Sequence, residues 1–588
     1  MSPSRSVLFV GEGNFSFSAS SASAGRRYSD CESSIITATC LQPHEQALRH
    51  EGAAANIQSI KDSGGTVLFE VDCTKLEGCS SLQGRAFDRV VFNFPHCGRK
   101  SGVKKNRELL KNFFRSCVQV LADDGEVHVS LCNGQGGTPV DQPKREWHNS
   151  WQVVAMAAEA HLVLSAVLPF ESEKLQNYKC TGYRSQDKGF HVEKALLHVF
   201  TRSLPFTAAQ RLEVEESIDG KKVHYIIPTE LSDYVFRSFL SSDSLHPVKL
   251  VQDYLLKGLS EKWSVSMTME TSPFLLTAKQ RQTCLSPAVD STQCYRIKPL
   301  QKDVNPDSDE ADDVRSTLRS SRCFDDTERE GCYYVLRPSL VSNLKEFLMN
   351  RDEGGEDKHV ECSAATVLFG TSGLVFRNVS IGPWSMPAFH QLLLTGSGPI
   401  KDLGQDLETL LAPFGVTLLT KQDGLCLTAQ PMGSVGHVFS THDNDRISVT
   451  ASLNLDLLAV LLFSLPDWRV LWSRDQRFLD QYSLRPSPGA PYRPFVLFPE
   501  HFSFDVSFWT GPTWEEKRFH GAVREASCGT VQQVKLIDRF SHPDLSQTSY
   551  CYRLVYHSHT HALSHTQALK FHKHLEHLLT DQLHATIR

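Results

Sequence analysis

The chain has 588 residues, 40% of them apolar and 22% charged, with a formal net charge of -6. At roughly 150 residues per domain this allows three or four domains, each able to bury its own core. The balance excludes a strongly basic chromatin or ribosomal protein, so contact with nucleic acid must be local, and no apolar run approaches the roughly 20 residues that cross a bilayer. The 16 cysteines are scattered without a C-x-x-C pair, which suits reduced thiols, so neither a disulfide framework nor a metal site is assigned. A cytoplasmic location is expected, with nucleus or nucleolus as alternatives; no membrane or DNA partner is expected.

From Val7 to about Phe200, apolar runs such as "VLFVGEG", "SIITATC", "TVLFEVDC", "DRVVFNFP", "EVHVSLC" and "ALLHVF" alternate with helical patterns, a βαβ rhythm around a mostly parallel sheet. "NRELLKNFFRSCVQVLADDG" places Leu109, Leu110, Phe113, Phe114, Cys117, Val118 and Leu121 on one face, predicting a crossover helix that ends at Gly125. Residues 206–300 are mixed, with "LVQDYLLKGLSEKW" helical in period, and their fold is left open. Residues 301–330 are acidic, serine-rich and poor in large apolar side chains, which predicts a flexible linker. Strands and helices mix again over 331–485, and "LRPSPGAPYRP" forms a proline-rich joint before a final unit at 492–588.

The turn "GEGNFS" opens the first βα unit. A dinucleotide site would show G-x-G-x-x-G, but Ser16 occupies the third glycine position. Gly11 and Gly13 still bring backbone N–H groups close to a ligand, and one without a pyrophosphate, such as S-adenosylmethionine, suits this turn better. A plain strand-to-helix turn is the alternative reading. Asp72 and Asn93 fall at later strand ends, where ligands lie in doubly wound sheets. Asp72 suits an adenine amino group, while Asn93 can donate and accept and Pro95 can hold "NFPH" against a flat substrate. Taken singly, Asp72 reads as a cap or turn residue and His96 as a polar loop residue.

"LFVGEGNFSFS", "VDCTKL", "FDRVVFNFPHCGRK", "GEVHVSLCNGQGG", Trp151 and "TGYRSQDKGFHVEKALLHVF" together resemble the Rossmann-like domain of eukaryotic ribosomal-RNA uridine-N3 methyltransferases. That resemblance covers about residues 5–200. It implies S-adenosylmethionine held by Gly11, Glu12, Gly13, Asn14, Asp72 and Cys73, with Asn93, Pro95 and His96 beside the methyl acceptor. Gln42 departs from the pattern, standing where such domains usually offer an acid to the ribose hydroxyls; Glu45 and Glu12 are the candidates to replace it. Uridine N3 lies on the pairing edge, so the base must be unpaired or flipped, and His96 is the nearest candidate to take the N3 proton. Arg99, Lys100, Lys104 and Lys105 suit RNA phosphates, or equally a solvated loop and helix start.

"LNLDLLAVLLFSLPDWRVLWSRDQRFLDQY" resembles the third class-defining motif of phenylalanyl-tRNA synthetases, but Leu457 stands where that family carries its ATP-gripping arginine. A degenerate class II synthetase-like module without aminoacylation is therefore expected over 331–485. The last unit reads βαββαβ, a ferredoxin-like sandwich, and resembles the anticodon-binding domain that ends those synthetases. Asp505, Phe508, Trp509, Asp538, Tyr552, Arg553 and Ser564 fall at the family's usual places. The resemblance implies contact with a tRNA stem or comparable RNA, with Lys535, Arg539 and Arg553 reaching phosphates. The histidines of "HSHTHALSHTQALKFHKHLEH" read as a solvated face, not a metal site.

These readings predict an α/β multidomain protein: a Rossmann-like methyltransferase domain over 1–205, a degenerate synthetase-like module and a C-terminal ferredoxin-like sandwich. The expected activity is S-adenosylmethionine-dependent methylation of uridine N3 in rRNA or tRNA. The alternative is a non-catalytic RNA-binding scaffold.

Overall fold

The computed structural model describes residues 5–23, 34–98, 101–175, 178–181, 192–268, 272–277, 280, 291–300, 333–341, 367–443, 446–544 and 547–588. The linker expected at 301–330 lies outside them. By their contacts the residues divide into two compact units, 1–206 with 494–502 and 557–570, and 207–493 with 503–556 and 571–588.

In the first unit, seven strands form one sheet in the order β3-β2-β1-β4-β5-β7-β6. They are β1 Arg5–Val10, β2 Ser34–Thr39, β3 Thr66–Leu68, β4 Phe87–Asn93, β5 Leu121–Leu131, β6 Leu162–Pro169 and β7 Leu196–Arg202. Strands β1 to β5 pair in parallel, and β7 runs antiparallel between β5 and β6. Alternation along β1 sends Leu8 and Val10 into one core and Val7 and Phe9 into another, so both faces are covered. Helices α4 (Val103–Cys117) and α5 (Val153–Ala158) supply Leu110, Phe113, Val153 and Ala157 to the first core. Helices α1 (Ser16–Ser23) and α3 (Ala53–Asp62) supply Phe17, Ala19, Ile57 and Ile60 to the second; α2 (His44–Ala47) is a single turn. The chain winds outward from β1 to β3 and then returns to place β4 on the other side of β1. That reversal opens a crevice at the carboxyl ends of β1 and β4.

The helix expected to end at Gly125 stops at Cys117, because Leu121 already pairs with Phe87 in the sheet. Gly125 lies inside β5, where a Cβ would sit 3.0 Å from the Phe87 carbonyl oxygen. Close backbone approach, not helix termination, explains that glycine.

In the second unit, β8 (Leu212–Ile218) and β9 (Lys221–Ile227) form a hairpin, followed by α6 (Pro247–Leu259) and β10 (Ser264–Met267). The short strands β11 (Leu275–Leu276), β12 (Arg296–Ile297) and β13 (Tyr334–Leu336) make a small sheet. A larger sheet, order β10-β14-β15-β19-β18-β17-β16, is antiparallel except for the edge pair β10–β14. Its remaining strands are β14 Val367–Phe376, β15 Ala388–Gly396, β16 Thr417–Lys421, β17 Gly424–Ala429, β18 Gly433–Asp443 and β19 Arg446–Asn454. All nine residues of β15 are buried.

The C-terminal sheet has the order β21-β22-β20-β23, from β20 His501–Trp509, β21 Val531–Ser541, β22 Thr548–His557 and β23 Thr586–Ile587. Helices Glu516–Ala526 and His565–Leu583 complete the expected alternation. Ser564 caps the second of these, its hydroxyl accepting from Gln567 N–H at 3.1 Å. The histidines of that helix divide: His565, His574 and His577 are exposed, but His572 is buried and hydrogen-bonded to the Tyr556 hydroxyl at 3.0 Å.

Candidate functional site

The turn after β1 works because Gly11 adopts φ +66°, a left-handed conformation, beneath the ring of Phe92 on β4. An added Cβ would lie 2.5 Å from that ring. Asn14 fixes the rest of the turn: its Oδ1 accepts from Ser16 N–H at 3.1 Å, and its carbonyl accepts from Asn56 of α3 at 2.8 Å. Ser16, where a dinucleotide site would carry glycine, holds a strap at 178–181. Lys179 N–H donates to the Ser16 hydroxyl at 3.0 Å, and that hydroxyl donates back to the Lys179 carbonyl at 3.1 Å. The Thr181 side chain lies over Gly13, 2.3 Å from where a Cβ would stand.

Between this turn and the ends of β3 and β4 lies a cavity of about 400 Å³, within the ~300–1,000 Å³ common for small-molecule sites. Gly11, Glu12, Gly13 and Asn14 line one side, Asp72 and Cys73 another, and Asn93 and His96 a third. The structure thus brings together the expected site residues, apart from Pro95, which is buried in the turn and does not line the cavity.

Each lining group has a local cause. Asp72 Oδ1 accepts from Thr74 N–H at 2.9 Å and from its hydroxyl at 2.7 Å, which makes a turn and leaves Oδ2 for a ligand's amino group. Burial raises the Glu12 carboxyl to about 7, against the hydrogen bonding of Ser18, whose N–H lies 3.3 Å away. Burial likewise pushes the Cys73 thiol up to about 12, so it is an uncharged wall. Asn93 Oδ1 accepts from the Ser130 hydroxyl at 2.7 Å, while its Nδ2 is buried with no hydrogen-bond partner. An amide donor left unsatisfied beside a cavity is a place for a ligand oxygen.

Gln42 also lines the cavity, its Oε1 2.9 Å from His50 Nε2. Glu45 is exposed on α2 and does not line it, so among the two candidate replacements only Glu12 does. Gly98 N–H donates to His96 Nδ1 at 2.9 Å. In the neutral ring the proton then sits on Nε2.

Lys104 and Lys105 are exposed on the first turn of α4, whereas Arg99 and Lys100 lie outside the described residues. On the C-terminal sheet, Lys535 and Arg539 are exposed on β21, with the Arg539 guanidinium 5.6 Å from the Tyr550 ring. Arg553 departs from expectation. Its fork is closed on Asp505 by bonds of 2.7 and 2.8 Å, so it ties β22 to β20 instead of presenting a free cation to phosphate. In the middle module, Leu457 is buried in the first turn of helix Leu455–Leu462, its N–H capped by Asn454 Oδ1 at 2.9 Å. The fully buried Asp456 next to it accepts from His390 N–H at 2.6 Å.

Comparison with known proteins adds identity to this geometry. Residues 8–182 match the rRNA (uridine-N3-)-methyltransferase BTM5-like family, and residues 497–588 match the ferredoxin-fold anticodon binding domain. Ferredoxin-fold anticodon-binding domain-containing protein 1 of Homo sapiens is 36% identical over 96% of this chain and 97% of its own. The chain belongs to that family. The Mus musculus homolog of ferredoxin-fold anticodon-binding domain-containing protein 1 is 35% identical over 99% of this chain and 100% of its own. The mitochondrial phenylalanine–tRNA ligase of Mus musculus is 38% identical over 20% of this chain and 27% of the ligase. The chain joins a methyltransferase-like domain to a ferredoxin-fold anticodon-binding domain. Among the described residues no group of side chains is arranged to hold a metal, and no helix is long and apolar enough to cross a membrane.

Proposed function

We propose that the protein is an S-adenosylmethionine-dependent RNA methyltransferase acting at uridine N3, with its C-terminal half presenting rRNA or tRNA. The observation that carries this reading is the cavity at the β1/β4 crevice, where a glycine turn, two carboxyl groups and an unsatisfied amide converge. The residues fit the cofactor. Gly11 and Gly13 present backbone rather than side chains along its wall, Asp72 Oδ2 suits its adenine amino group, and Glu12 suits its positive charge. When bound, the cofactor supplies an electrophilic sulfonium methyl group.

The chain's own residues then do three things. The strap at 178–181, fastened through Ser16, walls the cavity from above Gly13. Asn93 Nδ2 offers a donor to a uracil carbonyl, onto which negative charge spreads as N3 loses its proton. Alignment of N3 with the methyl supplies much of the rate, and with His96 Nδ1 occupied the proton leaves to solvent. Asn93→Ala is expected to lower kcat on the order of 10- to 100-fold while leaving S-adenosylmethionine affinity within about twofold. Single-turnover kinetics beside calorimetric titration measure both.

Glu12 gives the binding step a pH dependence. Its carboxyl is raised to about 7, so it is largely neutral at pH 6 and charged at pH 8. A cationic ligand should bind about tenfold more tightly at the higher pH, and Glu12→Gln should flatten the profile. The stability of the ligand-free protein runs the other way. A carboxyl raised on folding stabilises in acid, and that contribution is lost as pH rises through about 7. Thermal melts with and without ligand across pH 6–8 read both slopes.

The decisive test of the activity is titration with S-adenosylmethionine, followed by transfer of labelled methyl to RNA and mapping of the modified base. No binding at millimolar ligand removes the enzyme reading. The middle module, with Leu457 buried at the arginine position, is proposed to form no aminoacyl adenylate.

A further inference from the structure

The segment 142–149, "QPKREWHN", is exposed throughout and follows the end of β5. It holds two cations, Lys144 and Arg145, and Trp147, whose surface is 51% exposed. Exposed indole is costly in water, yet this one is firmly placed. Its N–H donates to both Glu500 carboxylate oxygens at 3.1 Å, and the Arg107 guanidinium of α4 sits 5.9 Å from its ring. Arg107 also clamps the backbone of the segment, donating to the carbonyls of His148 at 2.7 Å and Ser150 at 2.7 and 3.0 Å.

The same helix connects this segment to the mouth of the cavity. Cys97 N–H, on the cavity wall, donates to Asn106 Oδ1 at 3.1 Å, and the Cys97 thiol donates to the Lys105 carbonyl at 3.1 Å. The segment leads directly into Trp151, whose ring lies 6.5 Å from that of His96. Lys104 and Lys105 are exposed on the first turn of α4. A fixed, exposed indole is thus tied through α4 and Trp151 to the Asn93–His96 side of the cavity, with cations on both of the elements that hold it.

We infer that Trp147, flanked by Lys144, Arg145, Lys104 and Lys105, is a stacking platform for an unpaired RNA base next to the nucleotide in the cavity. This rests on the proposed RNA methyltransferase reading and names how that site holds its substrate. The chemistry favours single-stranded RNA over a folded protein partner. Every base offers a π-face to an indole, and cations beside it meet the phosphates of the same strand. A pairing-edge target requires a local single strand, so its neighbour is available to stack. The platform positions the substrate and takes no part in the chemical step.

The test uses the full chain, a fluorescein-labelled oligouridylate and S-adenosylmethionine. Trp147→Ala should weaken RNA binding about 5- to 100-fold, and Trp147→Phe should recover most of the loss. Lys144→Glu with Arg145→Glu, both on exposed side chains, should weaken binding and reduce its salt dependence. S-adenosylmethionine affinity should be unchanged in all of them, with circular dichroism melts confirming the fold. Unaltered RNA affinity in Trp147→Ala and in the charge-reversed variant, or no binding of the oligonucleotide by the parent protein, overturns the inference. The two proposals fail separately. A parent that ignores S-adenosylmethionine but needs Trp147 for RNA sinks the enzyme reading alone, and a parent that methylates RNA with kinetics indifferent to Trp147 sinks the platform alone.

Discussion

Gly11→Ala is expected to abolish cofactor binding, by more than about 100-fold, and to lower the melting temperature by several degrees. Two effects add. At φ +66° a Cβ strains the backbone by about 1 kcal/mol. The same Cβ stands 2.5 Å from the Phe92 ring, which cannot retreat easily because it is buried and packs edge-on against Phe113 at 5.0 Å. Overpacking of that kind costs about 1–3 kcal/mol. Phe92 lines the cavity, so any relief moves the ring or the turn within the space the ligand needs. Gly64→Ala is the control. Its φ is +79°, but nothing lies within 4 Å of the added Cβ, so only the backbone strain is felt and ligand binding should survive. Titration calorimetry and melts on the two variants separate strain from obstruction. Equal effects from both would show that the ring contact at Gly11 is unimportant.

The reach of the sequence differs from one residue to the next for physical reasons. The positions of Gly11, Asp72 and Asn93 were legible because a doubly wound topology brings the ends of parallel strands to one crevice, whatever the details of packing. The end of α4 was not legible. Val118 and Leu121 kept the helical period while the chain was already turning into β5, and periodicity cannot see the pairing of Leu121 with Phe87. The bond from Gly98 N–H to His96 Nδ1 was not legible either, a matter of loop geometry that residue type does not encode. Arg553 looked free because its partner Asp505 is 48 residues away in sequence and meets it only through strand pairing. Ser16 is the opposite case: read as a missing glycine, it is the anchor of the strap across the turn. The segment "PKREWH" gave no signal in the sequence, because its tie to the cavity runs through contacts of α4 that periodicity and composition do not carry.

Removing Arg524 alone should cost about 3–5 kcal/mol. This guanidinium, on helix Glu516–Ala526, pairs with Glu230 at 3.1 Å, with side chains 7% and 10% exposed, and also donates to the Val379 carbonyl. Gly521, one turn earlier, makes the approach possible, since a Cβ there would be 2.9 Å from Glu230 Oε1. In Arg524→Met the Glu230 carboxylate is left buried without its cation. Adding Glu230→Gln removes that charge and should recover most of the loss, a non-additivity that a simple loss of packing would not produce. Hydrogen exchange over helix Glu516–Ala526 is the suitable measurement, because a multidomain chain need not unfold in one step. The consequence extends to RNA. Phe519 of the same helix packs on Phe508 and Tyr552 of the sheet, with ring centres 5.7 and 4.5 Å apart, and that sheet carries Lys535 and Arg539 on β21. Loosening the helix should therefore weaken RNA binding together with exchange protection, and the double variant should restore both. Protection and RNA affinity that stay at parental values in Arg524→Met would mean that the buried pair does not support this face.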